Sequence, residues 1–90
     1  MIKSRKRRTH TEIVYEILAY AEGNDAFNIN ELCFFIEANW NTVKSYINRL
    51  VNSNALKIVY EHRTLNLYGK DVNFRKYLDA AKIMSNIKKE

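Results

Sequence analysis

The sequence predicts a mainly α domain with one small β-hairpin, and three observations point there. Apolar residues recur at helical spacing in three short segments between Thr9 and Asn52. From Leu56 to Tyr68 the period changes to two, the repeat of a strand. After Gly69 helical spacing returns and runs to about Lys88 with no Pro or Gly to interrupt it. Ninety residues make one small domain with a thin core, for which dimerisation is a natural source of extra burial.

The first helix is expected to start at Thr9. In Thr9-His10-Thr11-Glu12 the hydroxyl can accept from a backbone N–H while Glu12 reaches back, the pattern of a capping box. Ile13, Val14, Ile17, Leu18 and Ala21 then form one face, and Glu12, Glu16 and Glu22 the other. Gly23-Asn24-Asp25 is expected to close it through a left-handed residue. A short second helix is predicted from Asn28, with Glu31 three residues on, to about Glu37, turning Ile29, Leu32, Phe35 and Ile36 inward. Asn39 is the expected cap of a third helix, Trp40 to Asn52, whose inward residues are Val43, Ile47, Leu50 and Val51. Trp40 is expected to close the core between the second and third helices. Asn54 stands where the chain needs a positive φ.

Leu56, Ile58 and Tyr60 alternate with Lys57 and Val59, and after Glu61-His62-Arg63 comes Thr64-Leu65-Asn66-Leu67-Tyr68, which reads as a hairpin whose turn lacks Gly and Asn. The last helix, from about Asp71 to Lys88, carries two apolar stripes. Phe74, Tyr77, Leu78 and Ala81 form one; Ala80, Ile83, Met84 and Ile87 form another, rotated from it. One helix cannot bury both against one small domain, so the second stripe is expected to pack on another copy of the chain.

Charge is segregated along the chain. Residues 1–10 hold five bases, Lys3, Arg5, Lys6, Arg7 and Arg8, and no acid. Residues 11–37 hold six acids and no base, and from Ala38 to Tyr60 there is no acid at all. Such a pattern makes one side of a folded domain positive, and a positive side attracts a polyanion, with nucleic acid the leading partner. On the third helix, the side opposite Val43, Ile47 and Leu50 presents Asn41, Ser45, Asn48 and Asn52, flanked by Lys44 on one edge and Thr42 and Arg49 on the other. Amides and hydroxyls can exchange hydrogen bonds with base edges, and the cations can meet phosphates. Asparagine is a poor helix former, which favours a surface selected for contact. The Asn-, Ile-, Lys- and Tyr-rich, Pro-free composition offers the alternative of an A/T-rich coding sequence.

The run from Ile29-Asn30-Glu31-Leu32 through Ala38-Asn39-Trp40-Asn41-Thr42-Val43 to Leu50-Val51-Asn52-Ser53-Asn54-Ala55-Leu56 resembles a winged helix-turn-helix domain over residues 9–69. With the basic start (residues 1–8) as an arm and residues 70–90 as a long terminal helix, the whole chain is similar to small archaeal winged-helix proteins. These include the 10-kDa chromatin-associated type and regulators of archaeal viruses and plasmids. The resemblance implies double-stranded DNA as partner, a homodimer formed through the last helix and a recognition helix in the major groove. On this sequence the groove-facing residues are then Asn41, Thr42, Lys44, Ser45, Asn48 and Arg49, and the wing tip is His62 and Arg63. The basic arm would track phosphates or enter the minor groove. A transcription regulator, a low-specificity chromatin protein and a winged-helix adaptor that binds protein all fit it.

Other chemistries find little footing. The single Cys33 permits no intramolecular disulfide and reads as a buried small apolar group. His10 and His62 have no Cys or acid at metal-ligand spacing, and no Gly-rich phosphate loop or nucleophile elbow occurs, so neither a cofactor nor an enzyme is expected. The basic start is followed by an amphipathic segment with no apolar h-region, which suggests a cytoplasmic, nucleoid-associated protein.

Overall fold

A computed structural model describes residues 9–89, with side chains over 9–85. The order is α1 (His10–Glu22), α2 (Ile29–Ile36), α3 (Trp40–Asn52), β1 (Leu56–His62), β2 (Leu65–Lys70) and α4 (Phe74–Lys89).

Side chains fix where the first three helices begin. Thr9 Oγ1 accepts from the Glu12 N–H at 3.1 Å, and the Thr9 N–H donates to Glu12 Oε1 at 3.0 Å. Asn28 and Glu31 form the same reciprocal pair before α2. Asn39 Oδ1 accepts from the Thr42 N–H at 2.9 Å and starts α3. Each cap satisfies a donor that the first helical turn leaves without an intrahelical partner.

The helix ends differ from expectation in two places. Gly23 is right-handed, at φ −91°, and α1 needs no left-handed residue. The Gly23 and Asn24 N–H groups donate to the Tyr20 and Ala21 carbonyls, and Asn24 Nδ2 at 2.8 Å and Lys70 Nζ at 3.2 Å add a second donor to each. The left-handed residue belongs to α2, where Glu37 adopts φ 58° and lets the chain turn into α3 within three residues. Asn54, at φ 64°, takes the conformation its position predicts.

β1 and β2 pair antiparallel from Leu56 with Lys70 to His62 with Leu65, with an irregularity between Ile58 and Tyr60. The connection is Arg63-Thr64, and Arg63, at φ 36°, supplies the positive φ that Gly or Asn would ordinarily give. The Phe27 N–H donates to the Tyr68 carbonyl at 3.1 Å and the Tyr68 N–H to the Phe27 carbonyl at 2.8 Å, adding a one-residue third strand beside β2. A Cβ on Gly69 would lie 2.9 Å from the Asp25 carbonyl oxygen and 3.0 Å from Val59 Cγ1, so this approach is open only to glycine.

The core lies between α1, α2 and α3 and under the base of the hairpin. Ile17 and Leu18 meet Leu32 and Ile36, Val43 and Ile47, and then Leu56, Phe27 and Tyr68. Phe35, expected inside, is 61% exposed and lies against the Tyr20 ring at a centroid distance of 4.7 Å. An eight-residue helix turns only one narrow stripe inward, and Ile29, Leu32 and Ile36 fill it. Cys33 is half-buried at the margin rather than inside.

α4 starts at Phe74, three residues later than expected. Asp71, Val72 and Asn73 instead form a turn tied to the corner between α3 and β1. The Asp71 N–H donates to the Ala55 carbonyl at 3.1 Å, the Asn73 N–H to the Asn54 carbonyl at 2.9 Å, and Asn73 Nδ2 to the Ser53 carbonyl at 3.0 Å. Phe74, Leu78 and Ala81 are then buried where α4 crosses α1, and Arg75 Nη2 meets Glu22 Oε2 at 2.9 Å on the surface. An exposed pair of this kind contributes little, so the apolar stripe holds the helix.

Candidate nucleic-acid interface

α3 divides cleanly into two sides. Val43, Tyr46, Ile47 and Leu50 are buried. Asn41, Ser45, Asn48, Arg49 and Asn52 are exposed, with Thr42 and Lys44 half-buried at the edges. The exposed side carries no carboxylate, so nothing on it repels a phosphate. Two cations are steadied by aromatic rings: Lys44 Nζ lies 5.4 Å from the Trp40 ring centroid, and Arg49 Cζ lies 5.6 Å from that of Tyr46. In both cases the charged head itself lies over the ring, whose face attracts the cation.

Trp40 does not close the core. It is 47% exposed, and the space between α2 and α3 is filled without it by Leu32, Ile36, Val43 and Ile47. Trp40 shares the apolar stripe of Val43 and Ile47 in sequence, but as the first residue of α3 it stands on the wall of an open hollow, with Asn28, Ile29 and Asn30 from the start of α2. It lines a hollow of about 250 Å³ between α3 and the hairpin tip, together with Asn30, Lys44, Arg63, Thr64 and Asn66. Lys44, four residues after Trp40, was the one available sign of an exposed ring, since i and i+4 are neighbours on a helix.

At the hairpin tip His62 and Arg63 are exposed, and the His62 ring stacks on Tyr60 with a centroid separation of 6.2 Å and 12° between planes. The tip thus flanks the same side of the molecule as the start of α3, across the hollow that Arg63 and Lys44 share.

A second hollow, of about 320 Å³, opens beside the other edge of α3 and is lined by His10, Asn41, Thr42, Ser45, Tyr46 and Arg49. His10, for which the sequence suggested no role, is brought here by the packing of α1 on α3, and its Nδ1 is hydrogen-bonded to the Tyr46 hydroxyl. Thirty-six positions separate the two residues, so no local pattern could have joined them.

Lys3, Arg5, Lys6, Arg7 and Arg8 lie outside the described residues. Of the second stripe on α4, Ala80, Ile83 and Met84 are exposed, Ile83 at 59% and Met84 at 50%, while the side chain of Ile87 lies outside the described residues. Among the described residues no group of three or more His, Cys, Asp or Glu could hold a metal ion, and no helix is long and apolar enough to cross a membrane. Burial pushes the Cys33 thiol above its ordinary pKa, which disfavours the reactive thiolate.

No protein-family model and no curated protein matches the sequence. Among solved structures the fold is similar to that of Sso10a-2, a DNA-binding protein from Sulfolobus solfataricus, with a TM-score of 0.79 and 20% sequence identity over 91% of this chain and 83% of that one. The helices and their antiparallel hairpin form a winged helix-turn-helix, the fold that the sequence resembles.

Proposed function

We propose that this chain binds double-stranded DNA as a homodimer and acts as a transcription regulator. The observation that carries this reading is the exposed, acid-free side of α3, where amide and hydroxyl groups lie between Lys44 and Arg49. In the major groove Asn48 and Asn41 can read base edges while Thr42, Ser45, Lys44 and Arg49 position the helix on the backbone. The hairpin tip, His62 and Arg63, then meets the flanking strand, and the basic arm adds phosphate contacts. The similarity of fold to a DNA-binding protein favours the same partner here.

The dimer is inferred from α4. Water penalises the exposed Ile83 and Met84, and with Ala80 and Ile87 they make a stripe for a second copy of the helix. Two α3 helices about 34 Å apart, or a multiple of it, would then face one side of a duplex.

Two other readings are separable by one titration. Phe34, at 88% exposure beside Phe35, would suit a protein-binding adaptor, and the segregated charge would suit a low-specificity chromatin protein. In gel shifts with genomic and random fragments at two salt concentrations, a regulator prefers a few fragments. Salt-sensitive retention of every fragment indicates an architectural protein, and no retention at low salt indicates an adaptor.

A further inference from the structure

We propose that the hollow between the start of α1 and the outer edge of α3 is a seat for one DNA phosphate, and that His10 takes up a proton when the phosphate occupies it. The proposal rests on the DNA-binding reading above and adds a site and a proton to it.

Three features build the seat. Arg49, its guanidinium over the Tyr46 ring, brings a permanent cation to one wall. Ser45 and Thr42 bring hydroxyl donors to the same hollow, about one and about two α-helical turns before Arg49. His10 forms the opposite wall, exposed at its outer side and held by the Tyr46 hydroxyl at Nδ1. The Tyr46 ring is itself buried, so the imidazole is oriented by a fixed partner.

The proton follows from the hydrogen bonds. A phenol hydroxyl can donate to a neutral imidazole nitrogen or accept from a protonated one, so Tyr46 serves His10 in both states by rotating one O–H. With Nδ1 engaged, Nε2 is the nitrogen left for an incoming ligand. A phosphodiester oxygen is an acceptor only, and its negative charge favours the imidazolium, which donates from both nitrogens. Solvent supplies the proton, and no other group need change state.

The charged and titratable neighbours agree with this assignment. From α3, Tyr46 and Arg49 face the hollow; from α4, Tyr77 borders His10 on its other side, in a groove with Val14 and Met84. The carboxylate in the first turn of α1, Glu12, accepts from the Thr9 N–H in the capping box. No acid lines either hollow beside His10 among the described residues, so an anion entering the seat meets one fixed positive charge and one inducible one.

The test measures affinity for a fluorescent duplex by anisotropy across a salt series at about pH 5.5 and about pH 7.5, on either side of ordinary histidine titration. His62→Gln is the background, so that only one histidine remains. In that background the affinity at any one salt concentration is expected to be several-fold higher at the lower pH, as a proton taken up on binding requires, and the gap is expected to close as salt rises. In His10→Gln/His62→Gln the affinities at the two pH values are expected to coincide. Equal affinities in the single variant, or a difference that persists in the double variant, overturn the seat and leave DNA binding standing. Loss of duplex binding by the unsubstituted protein at both pH values overturns the DNA reading and the seat with it. Should the double variant fold poorly, the His10 ring resonances of the unsubstituted protein serve instead. They are expected to move on duplex addition with a raised titration midpoint, and resonances that stay in place overturn the proposal.

Discussion

α3 and α4 both lay one apolar stripe into the same small core, yet their outward sides have opposite chemistry. Inward, α3 contributes Val43, Ile47 and Leu50, and α4 contributes Phe74, Leu78 and Ala81. Outward, α3 shows amides, hydroxyls and cations with no large apolar group beyond Trp40, whereas α4 shows Ile83 and Met84 among Arg75, Lys76, Asp79 and Lys82. The inward sides explain why the helices sit where they do. The outward sides differ in what they lack: α3 leaves hydrogen-bonding capacity directed outward, and α4 leaves apolar area in contact with water. The first suits a wet, polar partner and the second an apolar one, so under the proposed function the two helices would divide recognition from assembly.

The largest effect should come from the side the two helices share. Ile47→Ala and Leu78→Ala each remove a fully enclosed side chain and should cost about 2–5 kcal/mol of stability, read by urea denaturation. A much smaller cost at Leu78 would break the symmetry and mean that α4 is only loosely attached. Next are the outward sides. Asn48→Ala should lower affinity for a preferred duplex by about 1–3 kcal/mol and flatten sequence preference, while leaving the dimer intact in light scattering. Ile83→Asp/Met84→Asp should do the reverse: a monomer in light scattering, a circular-dichroism spectrum unchanged, and duplex binding weakened through loss of the second site. Dimeric Ile83→Asp/Met84→Asp protein would refute the division of labour. Smaller still is the helix start, where Asn39→Ala removes the acceptor for the Thr42 N–H and should destabilise by about 1 kcal/mol. The slightest effect is at Cys33. Its raised pKa means that alkylation of the folded protein should be slower than that of a free thiol at neutral pH and should accelerate as pH rises and the thiolate forms.

Much of this arrangement could be read from the chain, because its governing interactions are local. Thr9 with Glu12, Asn28 with Glu31, and Asn39 before Trp40 are pairs within one helical turn, and each marks a helix start in the structure. The polar side of α3 follows from the 3.6-residue period alone. What the spacing could not disclose depends on how separate elements meet. Trp40 lies in the apolar register of α3, but it opens onto the hollow between the start of α2 and the hairpin, which only the assembled fold defines. His10 acquires a partner only because the fold brings the start of α1 beside Tyr46 of α3. Gly23 reads as a left-handed stop until Lys70, from the far strand, reaches the carbonyl of Ala21. Glu37 takes the left-handed conformation that no glycine is present to take, since three residues must reverse the chain between α2 and α3.

At Gly69 the absence of a single methyl group sets the pose of the whole hairpin. With the Asp25 carbonyl already against that backbone, even an alanine would have to lever β2 away from the loop after α1. The tip, five and six residues out along the ribbon, would swing through the largest arc. Gly69 is therefore the fulcrum of the hairpin, and a residue at its base governs where Arg63 stands.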